Sequence, residues 1–586
     1  MTEPLVIGGA SGYWGEATHA TAQLLGHPGL DVLIYDYLAE ITMSLLARAR
    51  AKDPAMGYAP DFVSAAMKPN LKAIAEMGVK IISNAGGLNP AACAAALRAE
   101  ITAQGLSLRV GVVTGDDLRA RAKDFAAARE MFSGEAFPAD KMIASINAYL
   151  GAFPIAAALD GGADIVITGR CADSATVLGA CIHYFGWQAG DLDALAGGSL
   201  AGHILECGPQ ATGGNFTDWT LAGDIADIGY PIAAVDGDGA FTVTKPGGTS
   251  GVISASAVTE QMLYEIGDPR AYLLPDVACD FSEVTVTEGA EGVRVSGAKG
   301  RAPNGMLKAS ATYVDGFRAG YTFNFNGRDA GAKARGFAEA GLKRAREALR
   351  ALNAPDFTET CIEVAGGRPG TSAYEEVALK TAVRHPDARA VGLFLKETMG
   401  TGLATPPGLH GFTGAGRPKP SPVVRLFSML VDPAKVPVAV EVEGDAIAFA
   451  PPAPPGPEPA PPPWPAPDAT GEDLIAVPLE ALALARSGDK GDKANIGVIA
   501  RRADWLPWIW QGLDDAAIRA AIPFAKGAIE RFYLPGTQSM NILCHEALGG
   551  GGVASLLNDA QGKGYAQRLL AADIMVPRAV APEGEF

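Results

Sequence analysis

Paired cysteines, long apolar runs and net positive charge are all missing from this sequence, and each absence narrows what the chain can be. Its seven cysteines (93, 171, 181, 207, 279, 361 and 544) are scattered, with no C-x-x-C pair. That pattern argues against a disulfide framework and a structural zinc site, and suits a reducing cytosol. No apolar stretch reaches the roughly 18 residues that a membrane span needs; the alanine-rich segment 151–159 is broken by Pro154 and stopped by Asp160. The net charge of −17 repels phosphate backbones and anionic lipid heads at long range. Neither nucleic acid nor membrane is therefore expected as a partner. The opening "MTEPLVIGGASG" lacks a basic segment and reads as a first strand rather than a signal peptide, so a cytoplasmic protein is expected.

Glycine is abundant, 72 of 586 residues, and proline is concentrated: eleven of the 41 prolines fall in 451–467, "PPAPPGPEPAPPPWPAP". Each proline fixes φ and removes a backbone donor, so this stretch reads as an extended spacer rather than an SH3 or WW ligand. The length predicts three or four units. The expected divisions are an α/β domain over 1–240, a β-rich α+β region over 241–450, the linker 451–468 and a small α+β domain over 469–586.

The first 180 residues alternate strand and helix, as in "LVIGG", "DVLIYDY", "VKIISN", "LRVGVVTG" and "ADIVITGR", with a long helix expected around 139–159. Such a series implies a Rossmann-like parallel sheet, with ligands bound beyond the carboxyl ends of its strands. Those ends carry "GGASGYWGE", "DYLAE", "NAGGLNP", "TGDD" and "TGRCADS". Gly9, Ser11, Gly12, Asp36, Asn84, Gly86, Gly87, Asn89, Arg170 and Asp173 thus furnish one shared substrate rim. The first glycine turn invites a dinucleotide, with Asp36 on the ribose, but Gly9-x2-Gly12-x2-Gly15 with Trp14 inside it does not meet G-x-G-x-x-G. A P-loop pattern and H-E-x-x-H are absent as well. Asp36, Glu40, Asp116 and Asp173 are conceivable metal ligands, but strand-tip carboxylates are too common to support a metal, and none is expected.

One later loop is dense in chemistry: "AGHILECGPQATGGNF", 201–216. A helical turn sets His203 and Glu206 on one face at i, i+3, where burial moves a carboxyl pKa toward neutrality. Cys207 is a candidate nucleophile. Gln210 and Thr212 add side chains, and the amides of Gly213, Gly214 and Asn215 suit an oxyanion. Further on, "VTVTEGAEGVRVSG" reads as a hairpin, "GFAEAGLKRAREALRALN" as an amphipathic helix, and 401–431, with His410 and Arg417, as a lid or partner loop running into a strand. In the last unit, "ALARSGDKGDKANIGVIARR" sets Arg486, Ser487, Asp489 and Lys490 in a short loop between apolar strands. The pieces after it fit a ββαββα ferredoxin-like sandwich.

Taken in order, "IGGASGYWGE", "DYLAEITM", "ISNAGGLNP", "ITGRCADSA", "GHILECGPQATGGNF" and "ARSGDKGDKANIGVIAR" resemble the acyclic terpene utilisation (AtuA) family over nearly the whole chain. The resemblance implies a large domain followed by a ferredoxin-like one, and a place in the catabolism of branched acyclic terpenes through acyl-CoA thioesters. Thioester chemistry needs an oxyanion site and a group that moves a proton. Glu206 as acid/base, helped by His203 and Cys207, and Arg170 facing a carboxylate or phosphate meet that need. The expectation is a hydratase or lyase acting on a branched acyl-CoA, requiring no cofactor, in a homo-oligomer. A nicotinamide-dependent oxidoreductase and a non-enzymatic assembly protein for an acyl-CoA carboxylase pathway are the alternatives.

Overall fold

The computed structural model describes residues 3–16, 18–367, 375–411, 418–452, 456 and 458–582. The chain forms two compact units, one comprising 1–312, 426–547 and 562–586, the other 313–425 and 548–561.

In the first unit, five short strands form the parallel centre of a sheet: β1 (Leu5–Gly9), β2 (Val32–Tyr35), β3 (Lys80–Ser83), β4 (Val110–Thr114) and β5 (Ile165–Thr168). Their order in space is β1-β2-β3-β5-β4, every neighbouring pair parallel. They are Val/Ile-rich and buried nearly throughout, as strands covered on both faces must be. The sheet does not end there. It has 11 strands, and those beyond the parallel centre are antiparallel, with Ile232–Val235 joining β1 and Ala439–Val442 joining β4. The Rossmann-like reading therefore holds for the centre alone. Strands such as Phe241–Thr244 and Gly292–Ser296 alternate between buried and part-exposed residues, so one face meets solvent and antiparallel pairing suffices. The boundary expected at 240 falls between two paired strands, Ile232–Val235 and Phe241–Thr244.

The long helix expected around 139–159 is two elements. Ile143–Ala148 is a strand, and only Phe153–Asp160 is helical, with Pro154 in its first turn. Tertiary pairing overrides local propensity here: Ser145 Oγ and Thr312 Oγ1 lie 2.6 Å apart, and Asn147 donates to Asp116 at 2.8 Å.

Residues 483–544 form a four-stranded antiparallel sheet in the order Ala483–Lys490, Lys493–Ala500, Ser539–Cys544, Ile529–Leu534. Helices Leu506–Gly512, Asp515–Ala521 and Tyr565–Leu570 complete the expected ββαββα sequence. Within the same unit residues 458–464 of the proline-rich stretch are bonded to the domain: Arg270 and Arg301 donate to the carbonyls of Pro461 and Glu458, and Trp464 Nε1 donates to Ser282 Oγ at 3.1 Å.

In the second unit, helices Ala330–Ala351 and Ala388–Gly400 pack on strands Glu359–Gly366 and Glu376–His385 around Phe325, Phe337 and Phe394. His410 lies in a short strand, Leu409–His410, whereas residues 412–417, Arg417 among them, lie outside the described residues. Among the described residues no helix is long and apolar enough to cross a membrane.

Candidate functional site

The tips of the parallel strands meet the 203–207 stretch directly. A Cβ on Gly9 would lie 2.5 Å from the Leu205 carbonyl oxygen, and one on Gly12 would lie 2.9 Å from Cys207 Cα. Glycine at these positions lets helix α1 (Leu192–Leu205) end against β1. The Gly12 amide donates to Glu16 at 2.6 Å, so the donor a pyrophosphate would need is engaged. Ser11 is buried and donates to the Tyr13 and Asp36 carbonyls.

This packing gathers three carboxyl groups. Asp36 ends β2, Asp173 follows β5, and Glu206 caps α1, and one oxygen from each lies within 4.8 Å of the others. Asn84 orients Asp36 by donating to Oδ1 at 2.5 Å, while its own Oδ1 accepts from the Tyr37 amide. Arg170, buried and stacked 4.1 Å from the Tyr149 ring centre, donates to Asp173 at 2.5 Å. Burial first, then the neighbouring Asp173, pushes the Asp36 carboxyl well above the usual range, with Arg170 opposing. Glu206 is raised by burial, Asp173 and Glu265, against Lys490 and Arg170.

His203 and Glu206 stand as their spacing predicts, Nδ1 and Oε1 3.1 Å apart. Burial and the nearby Lys490 lower the His203 pKa to about 4, so the imidazole is neutral. Its Nε2 faces the Met262 carbonyl at 3.2 Å. A carbonyl only accepts, so Nε2 carries the hydrogen and Nδ1 is the acceptor. The hydrogen between the two side chains then belongs to Glu206 Oε1. Glu206 Oε2 is buried and has no partner.

Other predicted residues are engaged elsewhere. Asn89 caps helix Pro90–Ala103 and donates to the Pro54 and Met56 carbonyls. Gly86 and Gly87 form the tight turn after β3, where a Cβ on Gly86 would meet the Thr168 carbonyl at 2.4 Å. The amides of Gly213 and Gly214 both donate to the Pro209 carbonyl, Thr212 Oγ1 donates to Gly229 at 2.6 Å, and Asn215 is exposed. Of the three oxyanion donors expected there, the Gly213 and Gly214 amides are consumed in closing a 3-10 turn. Gln210 is half-buried with Oε1 unpartnered. Burial, then Glu206, pushes the Cys207 thiol well up, which keeps it protonated.

The 486–490 segment is strand, not loop. It forms a tight hairpin with Lys493–Ala500 and docks on helix α2 (Ala255–Leu263). A Cβ on Gly488 would lie 2.4 Å from the Tyr264 ring, and one on Gly497 2.5 Å from Leu263 Cβ. Asn495 donates to the Leu263 carbonyl and accepts from the Glu265 amide at 2.7 Å. The hairpin thereby sets Lys490, itself exposed, beside the end of α2, its Nζ donating to the Glu265 carbonyl at 2.8 Å. Arg486, 5% exposed, stacks on Tyr264 at 4.4 Å and leaves Nη1 unpartnered. Ser487 ties the hairpin to the Gly562 carbonyl, and Asp489 lies 3.6 Å from Lys563. The sequence reading missed Tyr149, Tyr264, Glu265 and Lys563, which donates to the Tyr264 hydroxyl and pairs with Glu265 at 3.2 Å. Only the Gly-x8-Gly spacing of 488 and 497 around Asn495 signalled close docking; the lone Lys563 carried no pattern.

Carboxyl groups gathered at the carboxyl edge of a parallel sheet, in a unit that also contains a ferredoxin-like sheet, define an α/β protein with an appended α+β domain. The chain belongs to the acyclic terpene utilisation family, AtuA, which matches residues 5–442; residues 477–575 match the AtuA ferredoxin-like domain. No curated protein and no solved structure matches it.

Proposed function

We propose that the protein acts in acyclic terpene catabolism on a branched or terpenoid acyl-CoA thioester, as a hydratase or lyase. The family carries the pathway; the thioester follows from the resemblance of its motifs. The observation that carries the reaction class is Glu206, which gives its Oε1 hydrogen to neutral His203, leaves Oε2 without a partner among the described residues, and belongs to a cluster of carboxyls with Asp36 and Asp173. Adding or removing water next to a thioester requires a proton to move at carbon or at the hydroxyl, and charge at the carbonyl oxygen to be met. Glu206 and His203 form a proton-holding pair, and Arg170 and Lys490 supply positive charge. No step of this reading calls on an organic cofactor.

Glu206→Gln should keep the fold, seen as an unchanged circular dichroism spectrum, and lower turnover of branched enoyl- and hydroxyacyl-CoA esters by about 100-fold or more. Mass spectrometry of the thioesters reads the reaction. Undiminished turnover removes Glu206 from the chemistry.

A further inference from the structure

We propose that Asp36, Asp173 and Glu206 bind one hard divalent cation at the carboxyl edge of the parallel sheet. One oxygen from each of the three lies within 4.8 Å of the others, and the three arrive from separate elements: the end of β2, the loop after β5 and the cap of α1. A group of acidic residues alone says little. Here a second observation accompanies it, for Glu206 is 8% exposed and its Oε2 has no hydrogen-bond partner. A buried carboxyl oxygen is rarely left bare in a folded protein.

A shared proton is the ordinary alternative for crowded carboxyls; in this group one oxygen of each is already engaged with another partner. Asp36 Oδ1 accepts from Asn84 and the Leu38 amide, Asp173 Oδ1 from Arg170, and Glu206 Oε1 faces His203. A separation of no more than 4.8 Å is compatible with ligation, since oxygens held about 2.0–2.6 Å from one ion lie roughly 3–5 Å apart. The donors are all carboxylate oxygens, a set that favours Mg2+, Mn2+ or Ca2+ over zinc or copper.

Charge and access agree. Arg170 is in hydrogen-bond contact with one member of the group, while the Nζ of Lys490 donates to the Glu265 carbonyl. Once ionised, the three carboxylates outnumber the cations Arg170 and Lys490, and a cation that enters displaces the proton Glu206 otherwise holds toward His203. Asp173 has a side chain 39% exposed, so the group opens to solvent on its side while Asp36 and Glu206 hold the buried side. The sequence set metal aside because strand-tip carboxylates are common; it did not bring Glu206 to Asp36 and Asp173, and the fold does.

The inference shares residues with the proposed function but not its outcome: a bound cation without thioester turnover sinks that reading alone, and turnover without a bound cation sinks this one alone. The test is titration of the EDTA-treated full-length chain with MnCl2, followed by the electron paramagnetic resonance signal of free Mn2+, with MgCl2 and CaCl2 as competitors and the thermal midpoint as a second readout. One Mn2+ per chain and a raised midpoint are expected. Asp173→Asn and Glu206→Gln should each weaken binding by about tenfold or more, whereas Asp445→Asn, on an exposed hairpin, should leave it unchanged. Asp173 is partly exposed, so its variant carries the test if Glu206→Gln fails to fold. Absence of stoichiometric binding at about 1 mM Mn2+, or binding that survives Asp173→Asn, overturns the proposal.

Discussion

At the scale of single residues, burial decides which acids are charged. Glu260, on α2, is 1% exposed, and its carboxylate oxygens each accept from the Thr217 amide at 3.3 Å. Burial is the largest influence and pushes its pKa from 4.5 to about 7. The raised folded value means that folding is unpenalised below pH 4.5 and loses stability as pH climbs through 7. The full loss is on the order of 3 kcal/mol. Glu260→Gln should therefore match the wild type in denaturant near pH 4.5 and surpass it above pH 7; parallel pH profiles of the denaturation midpoint would refute this. Asp116 follows the same logic, burial raising it to about 7 although the Arg170 amide and Asn147 donate to it. The spacing of His203 and Glu206 was legible in the sequence because i, i+3 geometry is local. The redundant duties of Asn89, Gly213 and Gly214 were not, because which carbonyl an amide finds depends on the turn it closes.

Among the elements, glycines separate positions that need closeness from positions that merely tolerate flexibility. Gly497→Val would press against Leu263, where even a Cβ lies at 2.5 Å, and should cost about 1–3 kcal/mol in thermal unfolding while reducing turnover by shifting Lys490. Gly331, inside helix Ala330–Ala351 with open space around it, predicts the reverse: Gly331→Ala should add about 0.5–1 kcal/mol. Equal effects from both would mean that the docking carries no strain. The parallel strands were readable as apolar runs ending in glycine or polar residues. Strand Ile143–Ala148 was not, because its partner, strand Leu307–Asn326, lies far away in sequence. The polar stretch 486–495 was misplaced as a loop for a related reason: Arg486, Ser487 and Asn495 are buried in contacts with other segments, while Lys490 stays exposed near the turn.

On the scale of the molecule, the ferredoxin-like domain is held by its own chain through more than the proline-rich spacer. Asn495 and Asn541 bond to backbone at 263–267, Thr217 pairs with Ala485 through both its donor and its acceptor, and Arg501 grips Asp218 at 2.6 and 2.7 Å. Chains 1–468 and 469–586 expressed together as separate polypeptides should therefore co-purify; separate elution would show that the covalent link alone keeps them together. Arg501→Ala should weaken that association only slightly, by about 1 kcal/mol or less, because the pair is partly exposed. The junction between the two family matches was visible in the sequence through its prolines, whereas the second compact unit and the way an 11-stranded sheet recruits strands from 232 to 447 were not, since antiparallel edges leave no period that names their neighbour.

The hairpin that delivers Lys490 also sets a timetable. While the polypeptide emerges from the ribosome, the first several hundred residues can build the parallel sheet, yet Tyr264 and the end of α2 stay uncovered until the C-terminal strands appear. A nascent chain arrested in the proline tract would thus present its parallel sheet with the Tyr264 ring still uncovered, the kind of sticky aromatic surface that chaperones engage.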